Sequence, residues 1–459
     1  MSVTDFANLP LSSEQLATLK TLQYNQMTPV QAQSLPAMLA GDDVIAQAQT
    51  GSGKTAAFAL GLLARLNPAD FHVQSLVLCP TRELAEQVAD EIRRLARSQA
   101  NIKVLTLCGG VPSRIQTQSL QHGAHVIVGT PGRILDHLTQ QRVHFSRLQT
   151  LVLDEADRML DMGFQAELDQ IIAATPATRQ TLLFSATFPS QIASLTERLM
   201  RSPKHVVVEE NPIENSIEQV FYEVSSDSRE DAVIQLLLER QPDNAILFCN
   251  TKRETHALFT VLHNVGFSVQ ALHGDLEQRD REQTLLQFNN KSVRILVATD
   301  VAARGLDIKA LDMVINVSMA HDTDTHIHRV GRTGRAGEVG LAITLVTPAD
   351  EYKFRLLQDT MPTLGQPQQL PESAAQQVRP LHAEMTTIHI MGGKKDKLRP
   401  GDIVGALTRN NVLDFDSVGK ISIQSINSYV AIKKDKAKLA LSCLNNDKLK
   451  GRRFKARLL

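Results

Sequence analysis

Between Asp43 and about residue 207, short apolar runs alternate with longer stretches whose apolar positions recur every 3.6 residues. The runs "DVIAQA", "SLVLCP", "VLTLCG", "HVIVGT", "TLVLDE" and "QTLLFSA" predict strands. Helices are predicted over 54–65 and 82–98, the second placing Leu84, Ala85, Val88, Ile92 and Leu95 on one face. Strands that are apolar throughout and separated by helices predict a parallel sheet covered on both faces. The pattern then restarts with "NAILFCN", "SVQALHG", "VRILVATD", "MVINVS" and "AITLVTP", interleaved with helices such as 252–264. Two α/β domains are therefore expected, 1–208 and 209–360, joined near "EENPIENSIE". Residues 361–380 hold four prolines, several glutamines and little that could form a core, which predicts a linker. Beyond it, 381–459 reads as strand "TTIHIM", a helix from Gly401 to Leu407, strands "GKISIQSI" and "SYVAIKK", helix "KAKLALSCL" and strand "RRFKARLL". That order is a small β-α-β-β-α-β sandwich.

Composition adds three constraints. At 459 residues with 42% hydrophobic content, the chain is long enough for several real cores. No stretch approaches the roughly 18–20 apolar residues that cross a bilayer. The opening "MSVTDFANLP" has no basic region leading into an apolar run, so no secretory signal is expected and a cytoplasmic location is. Cys79, Cys108, Cys249 and Cys443 lie far apart in apolar segments, as free thiols do in a reducing compartment. The zero net charge hides an asymmetry. Residues 380–459 contain 16 Lys/Arg and 7 Asp/Glu, while 1–379 contain 33 and 42. A basic module on an acidic body is expected to seek a polyanion.

The chemistry begins at "AQTGSGKT", 48–55, between a predicted strand and an apolar helix. Gly51 and Gly53 let the backbone curl so that amides around Gln49, Thr50 and Ser52 face a phosphate at a helix N-terminus. Lys54 can reach the outer phosphates and the Thr55 hydroxyl can coordinate Mg²⁺. Ala48 stands where the common P-loop expression has glycine. A second strand ends in "LDEAD", 153–157. Asp154 fits the aspartate that holds Mg²⁺, and Glu155 is placed to orient and deprotonate the attacking water. Asp157 is expected to tie neighbouring loops together. Positive charge for the transition state is supplied by "HIHRVGRTGRAGEVG", where Arg329, Arg332 and Arg335 recur every third residue and could share one face.

These blocks closely resemble the DEAD-box ATP-dependent RNA helicases of superfamily 2, over about residues 6–347. The resemblance implies two tandem RecA-like parallel-sheet domains followed by a small RRM-like α+β domain. In that family Ala48 is the ordinary residue. "MTPVQ" is similar to the adenine-recognising segment, which implies that Gln31 reads the adenine edge and Phe6 stacks on the base. Asp307 of "ARGLDI" would contact ribose, Arg332 and Arg335 the γ-phosphate, while Ser185 and Thr187 of "SAT" would couple hydrolysis to strand separation. "PTRELA", Gly109-Gly110, "TPGR", "HGDLEQRDR" and "VATDVAARG" resemble RNA-binding elements. They would bring Thr81, Arg82, Gly110, Thr130, Arg133, Gly274, Gln278, Arg281, Thr299 and Arg304 to the strand. Two positions depart from the pattern: Gln23 stands where the family often has glycine, and His326 where it often has tyrosine.

"GGKKDKLRPGDIVGALT" and "GRRFKARLL" resemble the tail of a bacterial subgroup that recognises a 23S ribosomal RNA hairpin during assembly of the large subunit. The partners implied are 23S rRNA and pre-50S particles, with no membrane and no obligate protein partner evident. RRM sheets ordinarily stack bases on aromatics, yet "SYVAIKK" supplies Tyr429 and "TTIHIM" supplies none. Binding is therefore expected to lean on Lys394, Lys395, Lys397, Arg399, Arg452 and Arg453 beside Tyr429. Two other functions use the same motifs: a superfamily 2 DNA helicase, and a non-catalytic ATP-dependent RNA clamp. Gln31 and "SAT" favour RNA; the intact Lys54, Glu155, Arg332 and Arg335 favour turnover.

Overall fold

The computed structural model describes residues 4–48, 51–208, 217–303, 311–334, 340–371, 379–380, 382–409 and 412–459. Seven parallel strands form the first sheet: β1 Val44–Gln47, β2 Ser75–Leu78, β3 Val104–Leu107, β4 Val126–Gly129, β5 Thr150–Asp154, β6 Gln180–Ser185 and β7 Lys204–Val207. Their order is β3-β4-β2-β5-β6-β1-β7. Helices cover both faces, giving two cores, one around Phe58 and Phe184 and the other around Ile127, Leu151 and Phe145. Burial on both faces is why β2, β4, β5 and β6 have no polar alternation. The expected strands are all present; β7 is additional. Its pattern, with only Val206 buried, marks an edge strand that apolar content alone does not announce.

A second compact unit contains the rest of the described chain. Its larger sheet has β8 Ile217–Glu223, β9 Ala245–Cys249, β10 Val269–Leu272, β11 Ile295–Thr299, β12 Met313–Asn316, β13 Gly340–Val346 and β14 Gln368–Gln369. The order is β10-β11-β9-β12-β13-β8-β14, parallel throughout. β8 starts inside the segment read as a join, and β14 lies inside the segment read as a linker. The Pro371 carbonyl, two residues beyond β14, accepts from the Gln235 side chain at 2.5 Å, so this stretch is held to the domain.

The smaller sheet is antiparallel, with β15 Met385–Ile390, β16 Val418–Ile423, β17 Ser428–Lys433 and β18 Ala456–Leu458 in the order β16-β17-β15-β18. Helices Pro400–Leu407 and Ala437–Asn446 cover one face and enclose Ile388, Ile390, Val430 and Ile432. The opposite face carries Thr387, His389 and Tyr429, and it is not open. Thr387 is fully buried, and its hydroxyl pairs with Asn290 Nδ2 at 3.2 Å and Ser292 Oγ at 2.7 Å from the larger domain of the same unit.

Candidate nucleotide site and nucleic-acid interface

All motifs of the first sheet leave the carboxyl ends of its strands, where α/β sheets bind ligands. The strand order sorts them. β1, β6 and β5 are adjacent and carry the glycine loop, "SAT" and "DEAD"; β2, β4 and β3 carry "PTRELA", "TPGR" and the Gly109-Gly110 turn. One sheet edge therefore has a candidate nucleotide half and a candidate nucleic-acid half.

In the nucleotide half, Gly51 and Gly53 take φ +93° and +95°, the left-handed conformation that favours glycine. A side chain at Gly53 would also press on Gln31 Nε2 at 2.6 Å. Gln31 is buried; its Nε2 donates to the Gly53 carbonyl at 3.1 Å and its Oε1 accepts from the Thr28 amide at 2.9 Å. Lys54 is buried and donates from Nζ to the Ala48 carbonyl at 2.7 Å, while the Ala48 amide donates to the Ser185 carbonyl at 3.0 Å. Phe6 is buried edge-on against Tyr24, with ring centroids 6.4 Å apart. Tyr24 donates to Glu91 at 2.6 Å and accepts from Arg94 at 2.7 Å, anchoring the adenine-type segment to the helix Arg82–Leu95. Gln23 beside it adopts φ +61°, which explains why glycine is the commoner residue there.

Asp154 is buried, and burial pushes its carboxyl up to about 7, against the opposing pull of Lys54. Glu155 sits at φ +51°, ψ +53°, a left-handed conformation that costs a side-chain-bearing residue on the order of 1–3 kcal/mol and persists only where its surroundings hold it. Asp157 accepts from the Thr187 amide at 3.1 Å and the Thr187 hydroxyl at 2.9 Å, the tie between loops that was expected of it. Ser185 is buried and its hydroxyl has no hydrogen-bond partner among the described residues. Among the described residues, no three His, Cys, Asp or Glu side chains converge as a metal cage. The hard oxygens of Asp154 and Thr55 instead fit Mg²⁺, which keeps much of its coordination for water and phosphate oxygens. Gln49, Thr50, Arg304, Asp307 and Arg335 lie outside the described residues.

In the nucleic-acid half, Thr81 caps its helix by accepting from the Leu84 amide at 3.3 Å. A side chain at Gly109 would meet Arg82 Nη2 at 2.8 Å, so glycine leaves room for that guanidinium. Gly110 takes φ +78°, and Thr130 stands at the N-terminal boundary of the helix Pro131–Thr139, its hydroxyl making no capping bond. Arg133 donates to the Val111 carbonyl at 3.1 Å and to Gln116 Oε1 at 3.0 Å. Gln116 also donates to the Cys108 carbonyl at 2.7 Å and pairs with buried His137 at 2.9 Å. Gln116 and His137 organise this half yet lie outside every motif; no local signal in the sequence marks them.

In the second unit Gly274 is open on its Cβ side, Gln278 bonds Glu282 at 3.0 Å, Arg281 donates to the Ala302 carbonyl at 2.7 Å, and Thr299 ends β11. The three-residue arginine spacing does not give three equivalent groups. Arg329 is only 2% exposed and makes two bonds to Asp300, at 2.6 and 2.7 Å. It also donates to Asn250 Oδ1 at 2.8 Å and the Ser318 carbonyl at 2.7 Å. It stands in the last turn of its helix, Thr323–Val330, facing Asp300, whereas Arg332 lies past the helix end beyond Gly331. Arg332 is itself largely buried. His326 stacks on Phe221 and pairs with Gln219 at 3.0 Å; burial lowers its pKa to about 4.

In the small domain Tyr429 is half-buried, stacked on His389 with centroids 5.0 Å and planes 19° apart. Burial and then the nearby Glu282 carboxylate raise its pKa. The ring on "TTIHIM" is histidine, overlooked when only Phe, Tyr and Trp are counted. Lys394, Lys395, Lys397, Arg399, Arg452 and Arg453 are exposed, as expected.

A glycine phosphate loop, a metal-suited aspartate and a nucleic-acid edge on one parallel sheet define a nucleotide hydrolase of the helicase type. Residues 28–195 match the DEAD/DEAH box helicase family, 228–337 the helicase conserved C-terminal domain and 387–458 the DbpA RNA binding domain. The ATP-dependent RNA helicase DbpA of Escherichia coli is 50% identical over 458 residues, covering 100% of both chains. CshA of Bacillus licheniformis is 41% identical over 361 residues, 78% of this chain and 74% of its own. S. cerevisiae Dbp5 bound to RNA and ADP BeF3 superposes with a TM-score of 0.73 at 30% identity, over 79% of this chain and 95% of Dbp5. The chain belongs to the DEAD-box ATP-dependent RNA helicases, in the DbpA type that carries its own C-terminal RNA-binding domain.

Proposed function

We propose that this helicase acts on 23S ribosomal RNA in assembling large subunits in the cytoplasm, recognising a hairpin through 381–459 and unwinding nearby helices without translocating. The observation that carries the reading is electrostatic: residues 391–399 and 448–455 together hold nine Lys/Arg and one Asp. Such a surface suits the phosphates and shape of a folded hairpin. Among the described residues no helix is long and apolar enough to cross a membrane.

The proposed cycle assigns each group a task. Gly51 to Thr55, with Gln49 and Thr50, cradle the phosphates, and Gln31, Phe6 and Asp307 hold adenine and ribose. Mg²⁺, held through Thr55 and Asp154, would neutralise phosphate charge. Glu155 orients and deprotonates the attacking water, and Arg332 and Arg335 offset charge developing on the γ-phosphate. Thr81, Arg82, Gly110, Thr130 and Arg133, with Gly274, Gln278, Arg281, Thr299 and Arg304, hold one RNA strand in a bent path that a duplex cannot follow. The Asp157–Thr187 bonds join the "DEAD" and "SAT" loops within the nucleotide half and support the coupling role of Ser185 and Thr187.

Removing 380–459 should leave an ATPase stimulated by generic RNA with no preference for an rRNA hairpin. A competition assay checks this: a truncated protein that still selects the hairpin would place recognition in the helicase core.

A further inference from the structure

The face on which RRM-like sheets ordinarily stack bases is covered here at Thr387 and half-covered at Tyr429. Just past the end of β15 the chain bends at Met391, two residues beyond His389, and the Gly392 amide donates back to the Ile390 carbonyl at 2.9 Å. Met391 is 50% exposed, and Ile426, at the β16–β17 turn, is 59% exposed. These are large apolar side chains in a basic surface, and the backbone brings their segments together. The Met391 amide donates to the Lys455 carbonyl at 2.9 Å, and the Lys394 and Lys395 amides donate to the Gln424 and Ser425 carbonyls at 2.8 and 2.9 Å. Ser428 Oγ donates to the Gly392 carbonyl at 2.6 Å, and Asn427 Oδ1 pairs with His389 at 2.9 Å. Two glycines make the approach feasible. A side chain at Gly392 would strike the Phe454 ring, and one at Gly393 would strike the Gln424 carbonyl and the Ile426 amide.

An exposed apolar pair has no role in gripping phosphates, and lysines fit poorly into a dry protein interface. An unpaired RNA base presents both features at once, an apolar face beside a charged backbone. Aliphatic residues do pack against unstacked bases in nucleic-acid complexes. We infer that Met391 and Ile426 form the base-contacting pad of the C-terminal domain, holding an unstacked loop base while the flanking Lys394, Lys395, Arg453 and Lys455 hold its phosphates. The inference rests on the reading that 381–459 recognises an RNA hairpin, and it assigns loop discrimination to aliphatic rather than aromatic side chains.

The test uses the full chain and two fluorescent probes: an RNA stem with an unpaired purine-containing loop, and the same stem as a blunt duplex. Burying less apolar surface, Met391→Ala with Ile426→Ala should weaken stem–loop binding roughly ten-fold. It should leave duplex binding and the salt slope unchanged. Ile426→Leu should retain wild-type discrimination. Lys394→Ala with Lys395→Ala should instead weaken both probes and flatten the dependence of affinity on salt. Equal loss for both probes, or no loss, in the Met391/Ile426 variant would overturn the pad. So would displacement of the stem–loop by polyglutamate at matched charge, which would make an acidic polypeptide the occupant. A wild-type protein that does not prefer the stem–loop would instead refute hairpin recognition itself.

Discussion

Glu155 and His326 show how environment gives a side chain its task. Glu155 is held left-handed at the start of a helix, directly after the buried Asp154, so its carboxylate is directed by backbone constraint as well as by rotamer. Glu155→Gln keeps shape and loses the base. ATP and RNA affinities should stay within a few-fold of wild type while turnover falls roughly 10²–10⁴-fold, as read in steady-state ATPase and nucleotide-binding titrations. His326 is buried with a pKa of about 4, below the unfolded value of 6.5. Between those values the native state binds fewer protons than the unfolded one, so stability rises with pH. The full contribution is present above pH 6.5 and is lost as pH falls towards 4, on the order of 3 kcal/mol. Hydrogen exchange of the β8 and β13 amides at pH 7, 5.5 and 4.5 should show this slope, and His326→Tyr should remove it.

At the scale of elements, the helix Thr323–Val330 ties the second sheet together through one buried residue, Arg329. Arg329 joins β11, through Asp300, to the ends of β9 and β12, through Asn250 and Ser318. Replacing it by glutamine strands the Asp300 carboxylate. Breaking such a pair from one side costs about 3–5 kcal/mol. Arg329→Gln should therefore destabilise the second parallel sheet by about that much, seen as faster exchange in β9, β11 and β12, with nucleotide binding by the first sheet unaltered. The β15–β17 sheet illustrates the same point in reverse. Its Thr387 pairs with Asn290 and Ser292 of the neighbouring domain, so an element built like an RNA platform serves partly as a docking face.

For the whole molecule, the proposed reaction draws on groups far apart in sequence: Lys54, Asp154 and Glu155 precede residue 208, and Arg332 and Arg335 follow it. Arg335→Ala should accordingly lower RNA-stimulated turnover roughly 10³-fold or more while ATP affinity stays within a few-fold, as single-turnover and binding measurements would show. A collapse of ATP binding with normal turnover of bound ATP would make Arg335 a ground-state anchor. The charge asymmetry acts at this scale too. A tail of net +9 on a body of net −9 biases the first RNA encounter to the C-terminal domain, and that bias should fade as salt rises.

The sequence by itself determined the strands buried on both faces, because apolar runs bounded by helical periods have few alternative folds. It also determined the glycine loop and the "DEAD" carboxylates, whose chemistry is local. Elements whose stability is not local were settled only by tertiary structure. The edge strands β7 and β14, and β8 beside β14, owe their existence to a neighbour's free amides and carbonyls, which no run of residues encodes. Arg329 looked equivalent to Arg332 until the fold placed it in the last turn of a helix, paired with Asp300. Gln116 and His137 acquired meaning from the loops they join. Tyr429 was legible as an aromatic on the right strand, but the His389 ring stacked on it and the Glu282 carboxylate near it come from other parts of the chain, because packing ignores distance along the sequence.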